Sequence, residues 1–342
     1  MTSPKRITRL DLWLDPIFDR MVAARADLQL SVAAARGDDA ATLAALSRSH
    51  AYMVSAAKDE LPPRWSVTAE LIAQCPDLVC VASSGAGYDT VDVQACTAAG
   101  IAVVNQAGGN ADSVAEHTYA LLLAVRRRIV ESHDRLRRDH GFTREQLMGH
   151  EIRGNTIGLV GLGQIGRRAA RIAHGFGLRV VACDPYLPSE VIRAAGAEPV
   201  GLHDLLGQSD IVSLHCPLNA ETRGMMNAAA FARMKPGSVF ITTARGGIHD
   251  EAALYDALQA GHLSGAGLDV WQQEPPGNDA PLLQLPNVVG TYHTAGVTHE
   301  ARRNVARSAA EQLLAMLDGR RPPNLVNPPA WPAALERIAR LA

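Results

Sequence analysis

Cysteine is scarce in this sequence, and the five that it has, Cys75, Cys80, Cys96, Cys183 and Cys216, form no Cys-x-x-Cys pair. An odd number of thiols without such pairs does not fit the disulfide framework of a small secreted protein. No Cys or His pair recurs with the spacing of zinc ligands, so we expect no metal site. The cysteines are predicted to be reduced side chains in the core of a cytoplasmic protein.

Long apolar runs and a dominant charge are also missing. The longest apolar runs, such as residues 119–125, are far shorter than the roughly 20 residues that a membrane-spanning helix needs. The formal net charge is −2, with no basic stripe that would suggest nucleic acid and no acidic block that would suggest a disordered tail. Residues 7–14 are interrupted by Thr8, Arg9 and Asp11, which is not the pattern of a signal peptide. We therefore expect a cytoplasmic protein whose partners include neither a nucleic acid nor a membrane.

The sequence does have a regular alternation of short apolar runs and helix-like segments along most of its 342 residues. This length allows two domains with good cores, and a βαβα rhythm predicts parallel sheets covered by helices on both faces. The first set of candidate strands is residues 7–13, 28–33, 51–54, 78–82 and 101–104. The second set is residues 156–160, 179–183, 211–215, 238–242, 265–270 and 288–291. The predicted fold class is α/β.

A Gly-x-Gly-x-x-Gly turn follows the first strand of the second set. Gly161 would permit the tight turn, Gly163 would let the backbone approach a pyrophosphate, and Gly166 would let helix and strand lie close together. A helix that begins near Gln164 would present free N–H groups to the phosphates. Asp184 lies 18 residues after Gly166, the right distance to accept hydrogen bonds from the adenine-ribose hydroxyls. Because this carboxylate would repel a 2′-phosphate, we predict NAD rather than NADP.

The position of this turn in the chain predicts two domains. The glycine fingerprint normally opens a nucleotide-binding domain, yet about 150 residues precede it here, so a separate α/β domain should come first. Two helix-like stretches, residues 110–128 and 299–317, mark where the chain would cross between the domains. We predict one domain from residues 1–109 and 298–342, and a second from residues 110–297.

Three polar side chains come shortly after predicted strands of the second set: Arg245, Glu274 and His293. The carboxyl ends of parallel strands form the edge of the sheet where ligands bind. A guanidinium suits a bidentate grip on a carboxylate, and an imidazole beside a carboxylate can donate a proton near neutral pH. Asp269 lies inside an apolar predicted strand, where a charge needs a partner such as a nicotinamide carboxamide. Taken one at a time, Arg245 also fits a surface arginine, Glu274 a solvated loop residue and His293 a structural histidine.

Several short motifs follow one another along residues 75–300. They are Gly85-Ala-Gly-Tyr-Asp89, Ser113-Val-Ala-Glu116, Gly161-Leu-Gly-Gln-Ile-Gly166, His215-Cys-Pro-Leu218, Ala244-Arg-Gly-Gly247, Leu268-Asp-Val270 with Glu274-Pro275, and His293-Thr-Ala-Gly296. In this order they resemble the D-isomer-specific 2-hydroxyacid dehydrogenase family, whose members include phosphoglycerate dehydrogenase and the glyoxylate/hydroxypyruvate reductases. The resemblance implies two doubly wound parallel-sheet domains, a flavodoxin-like substrate domain and an inserted Rossmann domain that binds NAD.

The resemblance also implies a role for each polar residue. Arg245 would hold the substrate carboxylate and polarise the keto group. His293 would be the general acid in reduction and the base in oxidation, and Glu274 would raise the pKa of His293 through a hydrogen bond. The backbone N–H groups of Ala86 and Gly87, which we call the carboxylate clamp, would bind the same carboxylate from the first domain.

The resemblance further implies which residues line NAD. They are Gly161, Gly163, Gln164, Ile165, Gly166, Asp184, Cys216, Pro217, Thr243, Ala244, Asp269 and Gly296. The chemistry that follows is reversible hydride transfer between NAD(H) and carbon 2 of a small acid, with proton transfer at His293. The resemblance implies no metal.

The function that follows is an NAD-dependent D-2-hydroxyacid dehydrogenase, an oxidoreductase that acts on the CH–OH group of its donor. Ser83 and Ser84 stand where some relatives place an arginine that helps to bind anionic substrates, so a small acid of the glyoxylate or hydroxypyruvate type is favoured. Three alternatives stay open. They are a D-3-phosphoglycerate dehydrogenase, a non-enzymatic NAD-sensing protein like the transcriptional co-repressors that share this fold, and a dehydrogenase of another substrate, such as phosphite.

A homodimer is an expectation from the same resemblance. Residues 110–149 start as a helix and continue through a second helix-like segment at 131–140. In relatives this region contacts a second subunit and gives a two-fold dimer. The alternative is a helix that lies against the sheet of its own chain, and the sequence leaves both open.

Overall fold

The structure, a computed structural model, describes residues 4–139 and 141–341. The chain divides into two compact units. The first unit is formed by Met1–Asn110 with Val297–Ala342, and the second unit by Ala111–Gly296. Residues 1–3, 140 and 342 lie outside the described residues. They include both ends of the predicted first domain and the last residue of the helix-like segment predicted at 131–140.

The first unit is built on one parallel sheet. Its strands are β1 (Lys5–Leu10), β2 (Leu28–Ala33), β3 (Ala51–Val54), β4 (Cys80–Ser83) and β5 (Ala102–Val104). They are connected by α1 (Ile17–Ala23), α2 (Asp39–Ser47), α3 (Ala69–Ala73) and α4 (Val93–Ala98). The strands pair in the order β2-β1-β3-β4-β5, all in parallel. This is the flavodoxin-like order, whose direction switches between β1 and β3.

The second unit contains a larger parallel sheet. Its strands are β6 (Thr156–Val160), β7 (Arg179–Cys183), β8 (Glu198–Pro199), β9 (Ile211–Leu214), β10 (Ser238–Thr242), β11 (Leu263–Leu268) and β12 (Val288–Gly290). Its helices are α5 (Ala111–Arg126), α6 (Ile129–Arg138), α7 (Gln164–Gly175), α8 (Ser189–Ala194), α9 (Leu202–Gln208), α10 (Ala228–Arg233) and α11 (Glu251–Gln259). The order β12-β11-β10-β9-β6-β7-β8 contains the Rossmann arrangement, with its switch point between β6 and β9.

Two more helices, α12 (His299–Leu317) and α13 (Trp331–Ala339), belong to the first unit. The Thr298 hydroxyl caps α12 by accepting a hydrogen bond from Ala301 N. One stripe of α12, with Ala306, Ala309 and Leu313 fully buried, joins the core on one face of the sheet. The small side chains of Ala306 and Ala309 let the helix lie close to the strands.

Both sheets are covered on both faces, as predicted for parallel sheets. In the second unit, Leu159 and Val180 enter one core cluster, whereas Val160 and Val181 enter the other. Successive residues of a strand point to opposite faces, so neighbouring residues fill different cores. The predicted α/β class with two doubly wound sheets is confirmed.

Most predicted strands have the predicted bounds or end within two residues of them, but one difference bears on the site. The strand predicted at 265–270 is observed as β11, which ends at Leu268. Asp269 therefore lies just after the strand, and the prediction that it lies inside the strand was wrong. In the sequence, apolar residues stand on both sides of Asp269, as far as Val270. In the structure, the Asp269 carboxylate accepts hydrogen bonds from Thr294 N and Ala295 N of a loop, and the regular strand pairing ends before it.

The core of the second unit holds a histidine without a polar partner. His249 is 1% exposed, and its ring lies 5.6 Å from that of Phe240. Neither of its ring nitrogens makes a hydrogen bond to any described residue. Burial lowers the pKa of His249 to about 4. An unfolded histidine titrates near 6.5, so below that pH the unfolded state binds a proton that the folded state does not.

Acid should therefore destabilise this unit through His249. Between pH 7 and pH 5 the free energy of unfolding of the native chain should fall by about 2 kcal/mol more than that of His249→Phe. Urea unfolding at both pH values measures the difference. His203→Phe is the control, because the side chain of His203 is 70% exposed. Equal losses in the native chain and in His249→Phe would contradict this account.

Candidate active site

The glycine turn connects β6 to α7 and is built for close approach of backbone. Gly161 has a φ of +93°, and a Cβ there would lie 2.8 Å from Cys216 N. A Cβ on Gly166 would lie 2.3 Å from Gly161 O. Both positions therefore require glycine. At Gly163, which precedes the first residue of α7, a Cβ would meet nothing within 4 Å, so the space beside the helix N-terminus is open.

The predicted ribose carboxylate lies at this turn. Asp184 follows β7 directly, and its carboxylate accepts hydrogen bonds from Leu162 N at 2.9 Å and from Tyr186 N at 3.1 Å. These bonds fix the carboxylate beside the glycine turn. Cys216 lies on the other side of Gly161, and burial raises the pKa of its thiol to about 11. This thiol is protonated at neutral pH and is not a nucleophile.

His293 and Glu274 form a hydrogen-bonded pair in the second unit. His293 Nδ1 lies 2.8 Å from Glu274 Oε2, and Glu274 Oε1 accepts a hydrogen bond from Trp271 N at 3.0 Å. Burial opposes ionisation of Glu274, but the hydrogen bond and charge of His293, the Trp271 amide and the charge of Arg245 outweigh it and lower the pKa of Glu274. An ionised carboxylate only accepts hydrogen bonds, so Nδ1 of His293 carries a proton. Nε2 makes no hydrogen bond with the described part of the chain and can serve a ligand.

The backbone of His293 has an uncommon conformation. Its φ is +46°, in the left-handed region that costs a residue other than glycine about 1–2 kcal/mol. The amide of His293 donates to Asp269 O at 2.7 Å, which helps to hold this conformation. Strained backbone of this kind is found where function requires a side chain in one place.

Asp269 anchors the loop that carries His293. Its carboxylate is fully buried and accepts hydrogen bonds from Thr291 Oγ1, Thr294 N and Ala295 N at 2.6–2.9 Å. The Thr291 hydroxyl in turn lies 2.9 Å from His117 Nε2 on α5. The charge thus has its partners within the chain, where the sequence suggested a nicotinamide carboxamide. Sequence reasoning missed His117, which lies 174 residues from Thr291.

Arg245 follows β10, after the buried pair Thr243 and Ala244. Its Nη1 donates a hydrogen bond to Ala244 O at 2.8 Å. The next residue, Gly246, lies so close to Trp271 O that a Cβ would be 1.8 Å from it. The close contact with Trp271 O therefore restricts the backbone at Gly246, and this restriction helps to fix the backbone at the neighbouring Arg245.

The carboxylate clamp lies in the first unit, in the loop after β4. Three carbonyl oxygens of this loop accept hydrogen bonds. Gly85 O accepts one from Gln106 N at 2.8 Å, Ala86 O accepts one from Asn105 Nδ2 at 2.8 Å, and Gly87 O accepts one from Ser83 Oγ at 2.5 Å. In contrast, the N–H groups of Ala86 and Gly87 donate to no acceptor in residues 4–139 or 141–341. A loop with fixed carbonyls and free amides is an anion-binding arrangement.

Sequence reasoning also missed the residues that hold this loop. Asn105 and Gln106 directly follow β5, so the rule that strand ends carry ligand-site residues could have found them. Gln106 is fully buried, and its side-chain oxygen accepts hydrogen bonds from Ser308 Oγ and Gln312 Nε2 on α12 at 2.7 and 2.8 Å. A satisfied buried polar network of this kind makes the loop rigid.

The described residues include no helix that is long and apolar enough to cross a membrane. They also contain no group of three or more His, Cys, Asp or Glu side chains that could hold a metal ion.

Comparison with known proteins places this geometry among dehydrogenases. The family model "D-isomer specific 2-hydroxyacid dehydrogenase, NAD binding domain" matches residues 119–295. A glyoxylate reductase of Korarchaeum cryptofilum is 40% identical over 293 residues, which cover 79% of this chain and 88% of that protein. The D-3-phosphoglycerate dehydrogenase of Archaeoglobus fulgidus is 41% identical over 264 residues, 77% of this chain and 50% of that protein. The chain spans about half the length of the phosphoglycerate dehydrogenases that it matches.

A solved structure agrees with the sequence comparisons. The chain superposes on a glyoxylate reductase from Paecilomyes thermophila with a TM-score of 0.83 and 28% sequence identity. The superposition covers 95% of this chain and 99% of that one. The similarity therefore extends over both units.

Proposed function

The chain belongs to the D-isomer-specific 2-hydroxyacid dehydrogenase family, and on that basis we propose that it is an NAD-dependent oxidoreductase acting on a small 2-keto or 2-hydroxy acid. The observation that carries the proposal is the pair His293 and Glu274, 2.8 Å apart, with Nε2 of His293 left for a ligand. An oriented imidazole with one free nitrogen is what a general acid needs.

The residues of the second unit fit NAD. We assign the pyrophosphate to the turn Gly161, Gly163, Gln164, Ile165 and Gly166, where two glycines are required and the third leaves open space. The N–H groups at the start of α7 suit phosphate oxygens. Asp184 would accept from the adenine ribose, and the remaining lining residues would be Cys216, Pro217, Thr243, Ala244, Asp269 and Gly296. When bound, NAD supplies or accepts the hydride.

Residues of the chain would bind the substrate's carboxylate and transfer the proton. In the second unit, Arg245 would bind the carboxylate. In the first unit, the N–H groups of Ala86 and Gly87 are donors that would suit a carboxylate oxygen. His293 would give its Nε2 proton to the keto oxygen as negative charge grows there, and would take the proton back in oxidation. Glu274 would hold the imidazole in the tautomer and orientation that this needs.

The favoured substrate is a small acid of the glyoxylate or hydroxypyruvate type. Ser83 and Ser84 provide no positive charge beside the carboxylate clamp, which speaks against a phosphate ester. D-3-phosphoglycerate is the second candidate, because proteins with that activity are about as similar to this chain as the glyoxylate reductases.

The test is NADH oxidation by the purified chain. The 2-keto acids are glyoxylate, hydroxypyruvate, phenylpyruvate, 2-ketoisocaproate and oxaloacetate, and 3-phosphoglycerate with NAD tests the second candidate. We expect turnover of glyoxylate or hydroxypyruvate. Tight NADH binding without turnover of any acid would contradict the enzyme and favour an NAD-sensing protein.

A homodimer is proposed from the exposed apolar side chains of α6 and its surroundings. No residue of α6 is buried, and Ile129, Val130, Leu136 and Met148 are 46–71% exposed. Such a group marks a surface that contacts another protein. Light scattering should give twice the 36.4 kDa of the chain, and Leu136→Asp should halve that mass. A native chain that is monomeric at all concentrations would refute the dimer.

A cytoplasmic location is proposed from the thiols. All five cysteines are free, and Cys75, Cys80 and Cys96 are buried. Free thiols persist where the cell keeps them reduced. Cell fractionation should recover the chain with cytosolic markers, and recovery only with membranes or outside the cell would refute this.

A further inference from the structure

A chain of hydrogen bonds connects α5 to the loop that carries His293. The Thr291 hydroxyl, one residue after β12, donates to Asp269 Oδ1 at 2.6 Å, and the same oxygen lies 2.9 Å from Nε2 of His117 on α5. A hydroxyl has one proton, so the Thr291 oxygen accepts the bond from His117, and the imidazole carries its proton on Nε2. His117 is therefore the first donor of a chain that ends at the buried Asp269 carboxylate.

We propose that His117 is a positioning residue for the reaction, which holds the His293 loop in place through Thr291 and Asp269. The inference rests on the proposed dehydrogenase function and adds a residue to it. His117 does not itself give a proton to the substrate, because its Nε2 proton is engaged by Thr291. Its contribution is the place and conformation of His293.

Asp269 passes this support to the backbone of His293. Its carbonyl oxygen accepts a hydrogen bond from His293 N at 2.7 Å, and its carboxylate accepts one from Thr294 N at 2.8 Å. These two amides flank the Cα atom of His293, whose φ is +46°. A strained conformation persists only where surrounding bonds hold it. Nε2 of His117 is also 3.6 Å from Asp269 Oδ1, so its loss would remove a donor from beside this buried carboxylate.

Thr291 also connects to the other member of the pair. Its carbonyl oxygen accepts a hydrogen bond from Nε1 of Trp271 at 2.9 Å, and the backbone N–H of Trp271 donates to Glu274 Oε1 at 3.0 Å. The bond from His117 therefore restrains a residue that contacts the supports of both His293 and Glu274. Replacement of His117 would loosen the geometry of the whole pair.

α5 is packed too closely against the sheet to move freely. On β11, a Cβ at Gly265 would lie 2.6 Å from Val125 Cγ1, and one at Gly267 would lie 2.9 Å from Leu121 Cβ. The two glycines thus let the helix lie directly on the strand. Side chains on rigid elements hold a site more precisely than side chains on loops. The helix therefore presents the imidazole of His117 to the end of β12 from a fixed position.

The experiment compares His117→Leu with His117→Gln. Leucine removes the donor, whereas the glutamine amide can donate to Thr291 from about the place of Nε2. His117→Leu should lower kcat with a 2-keto acid about tenfold or more, since small displacements of a catalytic group are costly. His117→Gln should recover most of the loss. The dissociation constant of NADH should change little in both variants, because Asp184 and the glycine turn belong to other loops.

Thr291→Val cuts the chain of bonds and gives a second test. Valine has nearly the shape of threonine but can neither donate to Asp269 nor accept from His117. We expect Thr291→Val to lower kcat as well, and His117→Leu to have little further effect in that background. A residue that stabilises the fold independently of Thr291 would have the same effect in both backgrounds.

His203→Leu is the matched control and should keep the native kcat, because the side chain of His203 is 70% exposed. Native kcat in a folded His117→Leu, equal losses in His117→Leu and His117→Gln, or additive losses with Thr291→Val would each overturn the positioning role and leave the dehydrogenase intact. Absence of turnover of every acid by the native chain would overturn the proposed function, and the role of His117 with it. If His117→Leu does not fold, His117→Asn takes its place, because its shorter amide puts no donor at the position of Nε2.

Discussion

His293→Asn should lower kcat about 10²–10⁴-fold, the usual contribution of a positioned general acid. Asparagine keeps the approximate size of the ring but is not an acid that can give a proton to the substrate. The oxygen of the substrate would then carry its growing negative charge without a proton donor. NADH binding should persist, because the glycine turn and Asp184 belong to other loops. Kinetics with a 2-keto acid and NADH fluorescence titration measure the two effects separately.

The control for this variant is His203→Asn. The side chain of His203 is 70% exposed and lies next to Asp204 in α9, so it also resembles a histidine and carboxylate pair. Its replacement should leave kcat and KM at native values. A kcat of His293→Asn within a few-fold of the native value would mean that the general acid has been assigned to the wrong residue.

Arg245→Ala should lower kcat/KM about 10²–10⁴-fold, through both KM and kcat. Hydrogen bonds to charged groups contribute about 1.5–3 kcal/mol each, and a guanidinium can make two to one carboxylate. Arg245 is also one of the groups that lower the pKa of Glu274, so its loss weakens the support of His293 as well. Arg245→Lys should recover only part of the loss, because an ammonium group lacks the planar fork.

The kinetics of Arg245→Ala need two comparisons. Arg233→Ala removes an exposed arginine from α10 in the same unit and should behave as the native chain. The dissociation constant of NADH should change little in Arg245→Ala. A native KM for the 2-keto acid in this variant would show that another group binds the carboxylate.

The strands could be predicted from the sequence where burial dominates. β3 is a continuous apolar run and β10 has three apolar residues at its centre; both strands are fully buried and have the predicted bounds. β8 was missed because it has only two residues, Glu198 and Pro199, and neither is typical of a strand. An edge strand this short leaves no periodic signal, since its pairing depends on the neighbouring strand β7.

The candidate site could be predicted only in part. The motifs indicated Arg245, Glu274 and His293 through the family resemblance, and the structure brings His293 and Glu274 into contact across 19 residues of chain. The positive φ of His293 and the contact of His117 with Thr291 leave no local signal, because both depend on chain segments far apart in sequence. The apolar residues around Asp269 indicated that its carboxylate needs a partner, but they did not indicate that the following loop supplies it.

The measurement that tests the central claim most directly is the oxidation of paired D- and L-2-hydroxy acids with NAD. D-glycerate and L-glycerate form the first pair, followed by the D and L forms of lactate, and His293→Asn is assayed beside the native chain. We predict NAD reduction with the D form of at least one pair, little or none with its L form, and almost none in His293→Asn. Equal rates with both enantiomers, or oxidation of the L form alone, would contradict the assignment of a D-specific dehydrogenase.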